Sequence, residues 1–283
     1  MHKKIFRDIG LCAALLLSSN LAHAVAISDA TGSLDWTSFS ISGTEGTDWS
    51  WGSFMYNGVH SYAESSLAAG INDSVSNNDW TTPLSGSTTN HGMIGAGTTN
   101  SSIVESSGYA NAVGTGPTDG RASASTHRGR YISFGEVTSL VFSVDYSVKH
   151  LLSRGSLADD SANAYSEFNF YLTTAPGGDR LFSDRVTIYN SLSDQLSLQD
   201  ITAGTLSFVV DVPGLAQTFP QQQYWMEAQA YTSAGASTAP TSSVPAPGTL
   251  ALIGAGLIGA GISRRRGRVL RKPGSGQNRR VAS

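Results

Sequence analysis

LVFSVDYSVK, Leu140 to Lys149, alternates apolar and polar side chains from Phe142 onward. Leu140, Phe142, Val144, Tyr146 and Val148 share one face, and Ser143, Asp145, Ser147 and Lys149 take the other, the period of two that marks a half-buried β-strand. The same reading extends along the chain. Ala164, Ser166, Phe168, Phe170 and Leu172 form an apolar row opposed by Tyr165, Glu167, Asn169 and Tyr171. Leu206, Phe208, Val210 and Val212 repeat it before Pro213-Gly214, and Tyr224, Met226, Ala228 and Ala230 form a last strand. Turn clusters such as Pro176-Gly177-Gly178-Asp179 punctuate the runs, and no amphipathic pattern of three helical turns appears. Many strands with one dry face predict an all-β body, an antiparallel sandwich or jelly roll. The first half, Val25 to about Gly120, reads as looser, with polar, turn-rich stretches at Asn72–Asp79 and Gly86–Ser102.

The charge is distributed unevenly. Of 18 Lys and Arg and 21 Asp and Glu, three bases and one acid precede Ala24, and eight bases with no acid follow Ser263. The body between them keeps seven bases against twenty acids, a net of about −13, which repels nucleic-acid phosphates and anionic membranes. Nucleic acid is therefore not an expected partner. Cys12 is the only cysteine; it lies in the N-terminal apolar run, so the body has neither disulfide nor thiolate.

Both ends carry targeting signals. Lys3, Lys4 and Arg7 precede the apolar run Ile9–Leu17, and Ala22-His23-Ala24 supplies an A-x-A site. Residues 1–24 thus read as a signal peptide cut by signal peptidase after Ala24. At the other end Gly254, Gly256 and Gly259 have the G-x-G-x-x-G spacing of a dinucleotide site. The helix, second strand and acidic residue that such a site needs do not follow. Instead Gly248–Ile262 is uncharged, and Arg264, Arg265, Arg266 and Arg268 come directly after it. That order reads as a short transmembrane helix (248–262) with a basic stop-transfer cluster (264–268), followed by a basic cytoplasmic tail (269–283). Residues 232–243 read as a flexible spacer and 25–231 as the sandwich.

The order Val244-Pro245-Ala246-Pro247, apolar helix, Arg264-Arg265-Arg266 resembles the PEP-CTERM sorting signal over the last 40 or so residues. Ala246 stands where glutamate is the most frequent choice, and the tail runs on to Ser283. The resemblance implies recognition of residues 244–247 by an exosortase and an inner-membrane stage before processing. It also implies a final place at the cell surface, or in the exopolysaccharide matrix of a biofilm-forming Gram-negative bacterium.

Few residues point to chemistry. His60, His91, His127 and His150 have no zinc spacing, and no G-x-S-x-G elbow is present. The expectation is a non-enzymatic protein. Trp36, Trp49 and Trp51 are open to two readings, core aromatics or a sugar-stacking face, and a glycan face requires exposed indoles. A hydrolase, the remaining alternative, requires two carboxylates or a Ser–His pair converging in a cleft. Asn72, Asp73, Asp79, Asp159 and Asp160 are oxygen donors of the kind that hold Ca²⁺ in extracellular modules, and no other cofactor is expected.

Overall fold

The computed structural model describes residues 24–43, 49–114, 118–135, 138–155, 160–192, 195–218 and 223–238. They belong to one compact unit, His23–Thr241. Ala22, the segment 244–268 and the tail 269–283 lie outside the described residues.

Alternation of large apolar with polar side chains produces two antiparallel six-stranded sheets. The strands are β1 (Ala24–Gly43), β2 (Trp49–Ser65), β3 (Ala68–Asn77), β4 (Leu84–Asn90), β5 (Met93–Thr99) and β6 (Ile103–Gly114). They continue with β7 (Thr118–Phe134), β8 (Ser139–Arg154), β9 (Ser161–Thr173), β10 (Arg180–Leu192), β11 (Ser197–Asp211) and β12 (Tyr224–Thr238). Sheet A has the order β11-β8-β1-β6-β5-β4 and sheet B the order β10-β9-β12-β7-β2-β3. The rows expected to face inward do so. Leu140, Phe142, Val144 and Val148 from sheet A, and Phe168, Phe170, Leu172, Met226, Ala228 and Ala230 from sheet B, are all buried in one core. Tyr146 is half-buried beside them.

Four expectations need correction. Most of the stretch Asn72–Asp79 is strand: Asn72 and Asp73 lie on β3, where they pair with Tyr62 and Ser61. Gly86–Ser102 is mostly strand as well, β4 and β5, with small side chains that suit two close sheets. The last strand runs on to Thr238. The composition of Thr232–Thr238 resembles a spacer, but its alternate residues Thr232, Ala234 and Ala236 are buried and Ser233 and Ser237 are not. Finally, Val212 ends no strand. It opens α1 (Val212–Thr218), with Pro213 in the first turn, where its missing N–H costs nothing, and stays buried with Leu215.

The sandwich is thick at one end and thin at the other. A cluster of Leu, Phe, Val and Met fills the thick end. The thin end is lined largely by alanine, including Ala26, Ala30, Ala110, Ala122, Ala164 and Ala234. Here the backbones approach so closely that a Cβ on Gly108 would stand 2.7 Å from the Ala122 carbonyl oxygen and 2.9 Å from the Ala234 amide nitrogen. Only glycine fits. The chain enters and leaves at this thin end, since Ala24 pairs with Gly114 and Thr238 with Thr118.

Side-chain bonds between the sheets close both flanks. On one side the Ser207 amide donates to Asp184 Oδ2 at 2.8 Å and Asn190 Nδ2 to Asp200 Oδ2 at 3.0 Å. On the other, Asn90 Nδ2 donates to the Ala69 carbonyl at 2.8 Å, and Ser61 and Thr88 share a bond of 2.7 Å. Two of the groups used, the Ser207 amide and the Ala69 carbonyl, belong to edge strands and would otherwise invite another strand.

Candidate functional site

The thick end is built from aromatic and guanidinium groups. Register breaks between Asp35 and Ser40 on β1 and between Trp51 and Met55 on β2 turn the strands there. Asp35 fixes the first: its Oδ1 accepts the Thr37 amide at 2.9 Å and hydroxyl at 2.6 Å. Hydrogen bonds from Thr37 hold the Asp35 carboxyl below its ordinary pKa. Trp36 stacks on Phe39 at 4.8 Å and meets Trp80 edge-on at 5.4 Å, while Trp51 lies edge-on to Trp49 at 5.3 Å and to Trp80 at 5.7 Å. Trp36, Trp49 and Trp51 are half-buried and rest against the main core. The structure therefore brings them together as packing residues, whereas a stacking face needs exposed rings.

Arg128 is the residue that the sequence reading missed. It is fully buried. Its guanidinium carbon lies 5.0 Å from the Trp36 ring centroid and 5.1 Å from that of Trp80. Nε donates to Asn57 Oδ1 at 3.2 Å, and one terminal nitrogen donates to Thr99 Oγ1 at 3.2 Å and the Asn100 carbonyl at 2.5 Å. Burial lowers its pKa to about 10. Arg130 sits over Trp51 and Trp80 at 5.3 and 5.5 Å and donates to the Gly52 carbonyl at 3.0 Å. The signal was present in the period: Ala122, Ala124, Thr126 and Arg128 fall on the inward register of one strand.

The calcium candidates are dispersed. Adjacent residues on a strand point to opposite faces, so Asn72 and Asp73 cannot share a ligand sphere. Asp79 is committed to its own turn, accepting the Thr81 amide and hydroxyl at 2.8 Å each and the Thr82 amide at 3.2 Å. Hydrogen bonds led by the Thr82 hydroxyl lower its pKa to about 2. Asp160 is buried just before β9, with three strands, β12, β7 and β2, between β9 and β3. Asp159 lies outside the described residues. Among the described residues no group of three His, Cys, Asp or Glu is placed to hold a metal.

The outer face of sheet B holds the densest polar network. His127 Nδ1 lies 3.2 Å from Glu227 Oε1, and His127 Nε2 lies 2.5 Å from Ser125 Oγ. The Trp225 indole donates to Glu227 Oε2 at 2.9 Å. Burial would raise the Glu227 pKa, but bonds from His127, Trp225 and Tyr171 outweigh it and lower the value. Next to this set, Glu167 accepts from Asn169 and Arg185 at 2.7 Å each, and Arg180 lies 4.3 Å over the Tyr171 ring. Serine, histidine and carboxylate are thus aligned as nucleophile, base and orienter would be. They stand, however, on a sheet face. β7 is paired to β2 and β12 along both edges, so its amides are spent in the ladders and do not form an oxyanion hole. The arrangement is suited to presenting fixed polar groups outward. Sequence had supplied the outward row Tyr165, Glu167, Asn169 and Tyr171, but not its neighbours on β7 and β12.

A second Ser–His pair lies inside. His150 is fully buried and continues the inward register of Leu140–Val148. Its Nδ1 meets Asn190 Oδ1 and its Nε2 meets Ser166 Oγ, each at 2.8 Å. The pair is buried from solvent among the core side chains.

Fold and network together define a class: the described residues form an all-β sandwich of twelve strands, and a basic, apolar C-terminal segment follows in sequence. That segment matches the PEP-CTERM protein-sorting motif over residues 243–266. The motif marks the chain as an exported protein, sorted at the membrane and processed by an exosortase. Pro245, Ala246, Pro247 and Arg264–Arg266 fall within the match, and Val244 lies at its start. The match begins at residue 243, beyond the end of the last strand at Thr238, and does not include the sandwich. No curated protein and no solved structure matches the chain.

Proposed function

We propose that this chain is a non-enzymatic surface or matrix protein of a Gram-negative bacterium that makes exopolysaccharide. It is exported by the signal peptide at residues 1–24 and held in the inner membrane by Gly248–Ile262 until an exosortase acts at Val244–Pro247. It then works outside the cell by contact, without a cofactor. The observation that carries this reading is the sorting motif at 243–266, placed directly behind a continuous sandwich. Binding of polysaccharide is the contact that the outer face of sheet B favours. Its tyrosines and buttressed carboxylates, in a body of net charge about −13, suit neutral hydroxyl-rich partners better than polyanions.

Fractionation of the native host tests the proposal. With the exosortase intact, the chain is expected in the cell-surface or matrix fraction. When the exosortase gene is deleted, the chain is expected to accumulate in the inner membrane. Equal distribution in the two strains would reject the exosortase route, and recovery from the periplasm alone would reject the matrix role.

A further inference from the structure

We propose that a pocket on the outer face of sheet B, floored by Gly235, is a saccharide subsite for a neutral pyranose unit of a polysaccharide. This deepens the matrix reading and rests on it for the source of the polymer. The cavity has a volume of about 440 Å³ and is lined by Glu64, Asp119, Arg121, Asn163, Gly235 and Ser237 among others. That volume falls within the roughly 300–1,000 Å³ of small-ligand clefts.

Strand register explains how the pocket arises. Asn163, Gly235, Arg121 and Glu64 are successive partners across β9, β12, β7 and β2. One row of the sheet therefore reads amide, gap, cation, carboxylate. The gap is Gly235: a Cβ there would stand 2.8 Å from Asn163 Oδ1. The adjoining row, read the same way, is Tyr165, Ser233, Ser123 and Tyr62, two small side chains between two tyrosines. The floor stays low across both rows.

The polar groups are held in place. Arg121 Nε lies 3.6 Å from Glu64 Oε1, and its guanidinium carbon sits 5.8 Å from the Tyr62 ring centroid. The Tyr62 hydroxyl donates to the other Glu64 oxygen, and the Ser237 hydroxyl donates to Asp119. Asp119 is anchored further by its backbone: its amide donates to Ser66 Oγ at 3.1 Å and its carbonyl accepts from the Ser66 amide at 2.7 Å.

A carboxylate beside a guanidinium offers an acceptor and a donor to neighbouring hydroxyls, and the Asn163 amide offers one of each. This is the complement of a pyranose with vicinal hydroxyls. An acyl chain would have to desolvate Glu64, Asp119 and Arg121 without pairing them. Two carboxylates against one guanidinium disfavour an anionic sugar, and among the described residues there is no cluster for a metal.

The full chain in detergent, run in native gels containing dextran, galactomannan or hyaluronate, tests the assignment. Retardation by at least one neutral polymer is expected. Arg121→Ala, whose parent side chain is 57% exposed, should weaken it about tenfold, the worth of a charge-assisted hydrogen bond. Gly235→Val, which fills the gap, should abolish it. Unchanged circular dichroism of Arg121→Ala keeps the comparison valid if Gly235→Val misfolds. No retardation by either neutral polymer, equal retardation of wild type and Arg121→Ala, or selective retardation by hyaluronate would each overturn the proposal. Failure here with correct sorting in the host removes the pocket and leaves the matrix reading standing. Retardation with the chain retained uncut in the host membrane does the reverse.

Discussion

Gly108→Ala tests the close approach of the two sheets. The new Cβ would stand 2.7 Å from the Ala122 oxygen and 2.9 Å from the Ala234 nitrogen, well inside ordinary contact distances of about 3.5 Å. Neither obstacle is the end of a flexible side chain. Both are backbone atoms of β7 and β12, strands held by ladders on each side, so relief requires the sheets to part by roughly 0.6–0.8 Å. Overpacking of this kind costs about 1–3 kcal/mol, and the rigid obstacle puts it near the upper end. Removing a glycine from the unfolded chain returns about 0.4–1 kcal/mol. The net loss is about 2 kcal/mol, a fall in Tm of roughly 4–8 °C for a domain of this size. Gly177→Ala is the control. Gly177 has φ +72° and, among the described residues, nothing within 4 Å, so it should lose only the strain of the left-handed backbone, about 1 kcal/mol. Urea denaturation followed by tryptophan fluorescence, alongside calorimetry, measures both. A Gly108→Ala chain as stable as wild type would refute the thin alanine end and the register that produces it.

Three further outcomes follow from buried polar groups and from the surface turn. Burial lowers the His150 pKa despite the Asn190 bond and the charges of Asp200 and Asp29. The unfolded chain therefore takes up a proton first, and this contribution, complete above about pH 6.5, is lost as the pH falls through the folded value. Denaturation at pH 7.5 and 5.0 should show a larger acid loss in wild type than in His150→Gln; equal losses would contradict the assignment. Arg128→Ala removes the bonds to Asn57, Thr99 and Asn100 and two ring contacts, offset in part by relief of a buried charge, and should cost about 4 kcal/mol. Arg128→Lys, which lacks the fork, should fall between it and wild type, and a lysine variant with full stability would show that the fork is not used. Asp79→Ala should leave the core unchanged while amide exchange at Thr81 and Thr82 quickens; unaltered exchange would contradict the capping role.

Much of the sandwich was legible because alternation fixes which side chains face inward, and the rows Leu140–Val148 and Ala164–Leu172 obey it. The errors came where burial involves small residues. Thr232–Thr238 and Gly86–Ser102 look like linkers by composition, yet alanine, glycine and threonine are what two closely spaced sheets require. The polar outer network was only half visible. Tyr165, Glu167, Asn169 and Tyr171 are neighbours in sequence, as are Ser125 and His127, but Glu227 joins His127 only through the β7–β12 register, a long-range pairing that no local pattern reveals. The tryptophans illustrate the opposite limit, since sequence could not distinguish core from sugar platform, and the half-buried packing of Trp36, Trp49 and Trp51 on the core depends on long-range contacts.

The central claim, export followed by C-terminal processing, is tested most directly by the intact mass of the chain recovered from its native host. The account predicts a species beginning at Val25 and ending near Val244–Pro247, found outside the inner membrane. A membrane-bound species that still carries Arg264 to Ser283 would contradict it and make the segment a permanent anchor.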